Sequence, residues 1–130
     1  MKKKKVSKKA NHTALVYRVY DYLKNCHSGE ENKISKPELA KMFGIAERTL
    51  RRITMEINAS EELDKIISVS DGCYVCKTRE ECMKAIYTTY ATAITEFKKA
   101  KNMERKVGLN SQYKIRLGKY YKDMVETFTE

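Results

Sequence analysis

The chain has 130 residues, 42% of them hydrophobic and 34% charged, and its 27 Lys and Arg against 17 Asp and Glu give a formal net charge of +10. That size suits one globular unit with appendages, and the cationic excess points to a polyanionic partner, nucleic acid before an acidic membrane surface. No apolar run reaches the about 18 to 20 residues that span a bilayer, and the lysine-rich start lacks the apolar stretch of a signal peptide, so a cytoplasmic location without membrane contact is expected.

Residues 1–9, MKKKKVSKK, carry Lys2, Lys3, Lys4, Lys5, Lys8 and Lys9 and almost nothing to bury. They read as a flexible basic arm that touches phosphates without adding sequence preference. From about Thr13 to Cys26 the residues Leu15, Val16, Val19, Leu23 and Cys26 recur at helical spacing, which predicts a first helix closed by Ser28-Gly29. Lys33-Ile34-Ser35 suits a short strand. Ser35-Lys36-Pro37-Glu38 has the form of a capping box with proline in the first turn, so a second helix starts at about Lys36. It turns Leu39, Ala40 and Phe43 inward and stops at Gly44. A third helix, about Ala46 to Ala59, sets Leu50, Ile53 and Ile57 on one face and leaves Arg48, Thr49, Arg51 and Arg52 on the other.

Two β-prone runs follow, Ile66 to Val69 and Cys73 to Cys76, and the Asp71-Gly72 pair between them is a strong hairpin signal. Thr78-Arg79-Glu80-Glu81 is a second capping box. It opens a long helix to about Lys106, in which Ile86, Tyr90, Ala93, Phe97 and Ala100 form a narrow apolar seam. The seam suits either packing on the protein's own core or pairing with a second copy. In the tail, Tyr113, Ile115 and Leu117 alternate as in a strand and Tyr120 to Phe128 repeat as in a helix, predicting an extended piece and then a short helix. The cysteines, Cys26, Cys73, Cys76 and Cys82, are expected to be reduced thiols. Cys73 and Cys76 form a C-x-x-C pair, but in a strand residues three apart point to opposite faces, which favours small buried hydrophobes over zinc. No metal and no cofactor is expected.

The stretch from Lys36 to Ala59 has the parts of a helix-turn-helix, whose second helix enters the major groove while flanking groups hold phosphates. Arginine bridges both acceptors of a guanine edge, and threonine meets a base or a phosphate. Arg48, Thr49, Arg51 and Arg52 are therefore the leading candidates for readout, with Thr54 and Met55 further along the helix and Ser35 and Lys36 at the preceding turn. The order of elements around SKPELAKMFGIAERTLRRI resembles the winged helix-turn-helix domains of bacterial regulators and of small phage or prophage proteins from low-GC Gram-positive bacteria. The resemblance covers roughly residues 11 to 106 and implies that the third helix and the wing tip, Ser70, Asp71 and Gly72, face DNA in a bacterial host cell. The wing departs from that pattern in having an acidic tip and no Arg or Lys between Ile66 and Cys76.

The expected fold is mainly α with a small β-hairpin: arm 1–9, winged helix-turn-helix domain 10–77, long helix 78–107, and tail 108–130 with a short helix. The expected function is sequence-specific binding of double-stranded DNA, as a transcriptional regulator or a phage replication accessory protein; a homodimer joined by the long helix would read a palindrome. A rival reading is an adaptor or inhibitor that engages a protein partner, a replication protein or a host defence nuclease such as a CRISPR effector, through the long helix or tail. Nonspecific DNA architecture is a third. His12 and His27 lie near no recognisable nucleophile, and phosphate-loop, H-E-x-x-H and paired-carboxylate motifs are absent from the sequence, so an enzyme is not expected.

Overall fold

The computed structural model describes residues 8–108 and 111–129, with side chains over 10–108 and 117–127. Its contacts divide the chain into two units, Met1–Thr89 and Tyr90–Glu130. The fold is mainly α with one small two-stranded antiparallel hairpin, a helix-turn-helix with a wing, followed by a long helix.

Helix α1 (Lys8–Cys26) starts earlier than its apolar stripe indicated and takes in Lys8 and Lys9 from the expected arm. Lysine is a good helix former, and extending an existing helix by a turn costs far less than nucleating one. Lys2, Lys3, Lys4 and Lys5 lie outside the described residues. Val16, Val19, Tyr20 and Leu23 of α1 are buried. After Gly29, at φ 91°, a single 3-10 turn (Glu30–Asn32) leads to α2 (Lys36–Met42). Ser35 caps α2: the Glu38 N–H donates to Ser35 Oγ at 3.3 Å, with proline in the first turn, as the capping signature implied. Gly44, at φ 62°, then turns the chain into α3 (Glu47–Ala59).

The strands β1 (Ile67–Ser68) and β2 (Tyr74–Val75) pair antiparallel with Ile67 opposite Val75 and Ser68 opposite Tyr74. They are shorter than the β-prone runs, but β2 is bonded on both edges. On its second edge Ile34 and Cys73 exchange N–H···O bonds of 3.0 and 2.7 Å, and Val75 bonds both His27 and Gly29 at 2.8 Å. Cys73 and Val75 enter the main core with Leu39, Leu50, Ile53, Ile57 and Ile67. Tyr74 and Cys76 point the other way along the pleat and are buried as well, Cys76 Sγ lying 3.6 Å from the Glu81 carbonyl oxygen.

Helix α4 (Arg79–Val107) opens with the expected cap: the Glu81 N–H donates to Thr78 Oγ1 at 3.2 Å, and the Lys77 N–H donates to Glu81 Oε1 at 2.9 Å. Among its described residues none is buried, and Ile86 and Tyr90 are exposed. The tail is one helix, α5 (Ser111–Thr129), not an extended piece followed by a short helix. The alternation was misleading because Tyr113, Leu117, Tyr121 and Met124 already step by four, four and three; only Ile115 breaks that register. Within the Tyr90–Glu130 unit the Phe97 and Tyr121 rings lie 5.8 Å apart, and the Lys101 ammonium sits 5.7 Å from one centroid and 5.3 Å from the other. Among the described residues no helix is long and apolar enough to cross a membrane.

Candidate nucleic-acid interface

Helix α3 is amphipathic in a way that leaves little freedom in its orientation. Leu50, Ile53, Thr54 and Ile57 are buried, and at 100° per residue Arg48, Arg52, Met55 and Ala59 fall on the opposite side. Arg51 and Glu56 flank that outer face. Together Arg48, Arg51, Arg52, Met55, Glu56 and Ala59 line a shallow open groove along the helix. Three guanidiniums and one carboxylate leave the face cationic. Met55 is 63% exposed in its midst, an apolar surface among fork-shaped donors.

Contacts from α1 hold α3 and the segment after it. His12 Nε2 meets Glu56 Oε2 at 2.8 Å, Tyr17 donates to Glu62 at 3.0 Å, and the Tyr20 hydroxyl donates to Asp64 Oδ1 at 2.9 Å. Burial and then the bond to Asp64 push the Tyr20 phenol up from its ordinary value, and that bond holds the Asp64 carboxyl down. The first of these contacts bears on the interface directly. By holding Glu56, His12 engages the one carboxylate on the face that would repel phosphate. Sequence reasoning missed this pair, because the partners are 44 positions apart and neither belongs to a motif.

Arg48, Arg51, Arg52 and Met55 are exposed on α3, as the amphipathic pattern implied, and Thr49 is half-buried at its first turn. Thr54 is a correction. It is 2% exposed, and its hydroxyl donates to the Arg51 carbonyl at 2.9 Å, so it faces the core and has no reach toward a base. A threonine mid-helix satisfies its hydroxyl on the preceding turn and so is tolerated inside. Ser35 and Lys36 are exposed at the start of α2, where the Ser35 oxygen is already engaged as the cap.

At the wing tip Ser70 and Asp71 are exposed, and Gly72 has φ 81°. Asp71 Oδ2 lies 2.7 Å from Lys33 Nζ. That bond holds the Asp71 carboxyl below the ordinary carboxylate range and raises the Lys33 ammonium. Lys33 therefore neutralises the acidic tip that the wing's sequence presents. The thiols of Cys73 and Cys76 are both inside: burial raises the first, and burial followed by the neighbouring Cys82 and Glu81 pushes the second up to about 12.

Residues 19–58 match the family model described as the CENP-B N-terminal DNA-binding domain. The matched stretch runs from within α1 through α2 into α3, which is the helix-turn-helix without wing, α4 or α5, and it covers less than half of the chain. A comparison with curated proteins and another with solved structures each gave no match. The family match and the fold support one coarse statement: this is a helix-turn-helix protein with a DNA partner.

Proposed function

We propose that the protein reads a short site on duplex DNA by laying α3 in the major groove, as a transcriptional regulator or as a replication accessory protein of a phage or prophage. The observation that carries this reading is the outer face of α3, where Arg48 and Arg52 project from a helix whose opposite face is locked into the core. Arginines one turn apart suit two guanine edges on neighbouring base pairs, and Met55 beside them suits a thymine methyl. Lys36 at the start of α2 holds a flanking phosphate, and the lysines of residues 1–9 add affinity that depends on salt.

The decisive measurement is fluorescence anisotropy against duplexes enriched from a randomised pool, over a salt series. One enriched motif is expected, with affinity falling by decades between low and moderate salt. Arg48→Ala or Arg52→Ala should each cost about 1 to 3 kcal/mol and relax preference at one base position. Binding with no preferred site would reduce the protein to nonspecific architecture. Absence of binding at physiological salt would overturn the proposal and leave the protein-partner reading.

A further inference from the structure

The positive charge of the chain is unevenly placed. Residues 10–89, which span the two helices of the helix-turn-helix and the wing, carry twelve Lys and Arg and twelve Asp and Glu, so that stretch has no net charge. The excess lies at the two ends: six lysines in residues 1–9, and nine Lys and Arg against five Asp and Glu in residues 90–130. Arg48, Arg51 and Arg52 make one face of α3 cationic, yet the stretch around them adds no long-range attraction for a polyanion.

Within the Tyr90–Glu130 unit the charge gathers on α4. Lys98, Lys99, Lys101, Arg105 and Lys106 fall within nine residues, against Glu104 alone. At 100° per residue Lys98, Lys99, Arg105 and Lys106, with Asn102 among them, occupy about one third of the helix circumference, and all are exposed. Lys101 turns toward α5 instead: its ammonium lies over the Phe97 and Tyr121 rings and 3.3 Å from Glu104 Oε2. Lys99 meets Glu96 at 2.8 Å, whereas among the described residues Lys98, Arg105 and Lys106 have no carboxylate partner. Helix α5 adds little, because Lys119 and Lys122 are matched there by Asp123 and Glu126.

Cations in the last turn of a helix are ordinary, since they offset the partial negative charge of its carbonyls, but that effect fades within one turn. Lys98 and Lys99 lie more than two turns before Val107, where α4 ends. Like charges on one side of a helix also repel one another, so this face costs stability until counterions or a polyanion neutralise it.

We infer that the face formed by Lys98, Lys99, Arg105 and Lys106 is a second contact with DNA, one that holds backbone phosphates and reads no bases. The inference rests on the DNA reading of α3 and divides the work within the chain: α3 supplies preference, and this face supplies affinity through release of counterions. A chain that already has a DNA partner brings phosphates to a covalently joined second face at high local concentration, so the face needs no specificity of its own.

Fluorescence anisotropy of the full chain tests this with two duplexes, one carrying the enriched motif and one scrambled, each over a salt series. Lys98→Gln, Lys99→Gln, Arg105→Gln and Lys106→Gln combined should weaken binding to both duplexes by the same factor, about tenfold or more at low salt, and lower the slope of log affinity against log salt by about 3. Preference for the motif should stay as in the wild type, whereas Arg48→Ala should change preference more than slope. Lys98→Gln and Lys106→Gln made singly should each lower the slope by about 1, a reading that stands even where the fourfold variant loses helical circular dichroism. A wild-type slope in these variants would overturn the inference while an enriched motif upheld the reading of α3; a lowered slope with no enriched motif would do the reverse. Absence of binding to either duplex would overturn both. A wild-type slope together with lost binding to phosphatidylserine vesicles would assign the face to a membrane surface instead.

Discussion

Asn58 and Ile67 are joined as two strands would be: the Asn58 side-chain amide donates to the Ile67 carbonyl at 2.9 Å and accepts the Ile67 N–H at 2.8 Å. One side chain near the end of α3 thus takes the place of a strand beside β1 and fixes where the wing starts relative to the reading helix. Asn58→Ala leaves two backbone groups without these partners and should cost about 1 to 3 kcal/mol, measured by urea unfolding. Asn58→Asp keeps the acceptor and loses the donor, so it should fall between the two. An Ala variant as stable as the wild type would show that the pairing is incidental.

Thr54 and Arg52 lie two residues apart on opposite sides of α3 and should fail in different assays. Thr54→Ala removes a buried methyl and hydroxyl and should lower stability by about 1 to 2 kcal/mol while leaving DNA affinity at temperatures well below unfolding unchanged. Arg52→Ala should do the reverse. Thermal melts and anisotropy on the same two proteins separate stability from readout.

The Tyr20–Asp64 bond should make stability depend on pH at both extremes. Tyr20 has a folded pKa raised above 10.0, so its contribution is complete below pH 10 and is lost as pH rises through the folded value. Asp64 has a folded pKa lowered below 3.8, so its contribution is present above pH 3.8 and disappears as pH falls through the folded value. Tyr20→Phe should therefore lower the melting temperature near neutral pH and flatten its dependence on pH at both ends. Parallel curves for the two proteins would contradict this account.

Thiol reactivity should follow burial. Cys26 is exposed and should react first with a maleimide at neutral pH, whereas Cys73 and Cys76, buried and with raised thiol pKa values, should be modified only on unfolding. Mass spectrometry after a timed pulse gives the order. Early modification of Cys76 would mean that β2 and the first turn of α4 separate readily.

How much of this was legible in the sequence depended on whether the signal was local. The caps at Ser35 and Thr78, the turns at Gly44 and Asp71-Gly72, and the faces of α2 and α3 are each encoded within a few residues, and the structure places them where the spacing predicted. Thr54 was grouped with the readout face for its place further along the helix, although it lies one turn from Leu50 on the apolar side. The tail was misread because Ile115 lent a short stretch the alternation of a strand. The links that hold the interface, His12 to Glu56, Tyr20 to Asp64 and Asn58 to Ile67, join residues brought together only by the fold, and single-sequence periodicity carries no trace of them. The long helix was recognised, but its periodicity does not say what the seam meets: Phe97 lies against the Tyr121 ring of α5.

Gly72 limits how this protein could acquire a new preference. Its φ of 81° disfavours any other residue, and a β-carbon added there would stand 3.0 Å from the Ile34 carbonyl oxygen, in the lane that bonds Cys73. Directed evolution that varies position 72 would therefore strain the hairpin turn itself. The productive library lies on α3, at positions 48, 51, 52 and 55, where side chains are free to change and the scaffold beneath is indifferent to the choice.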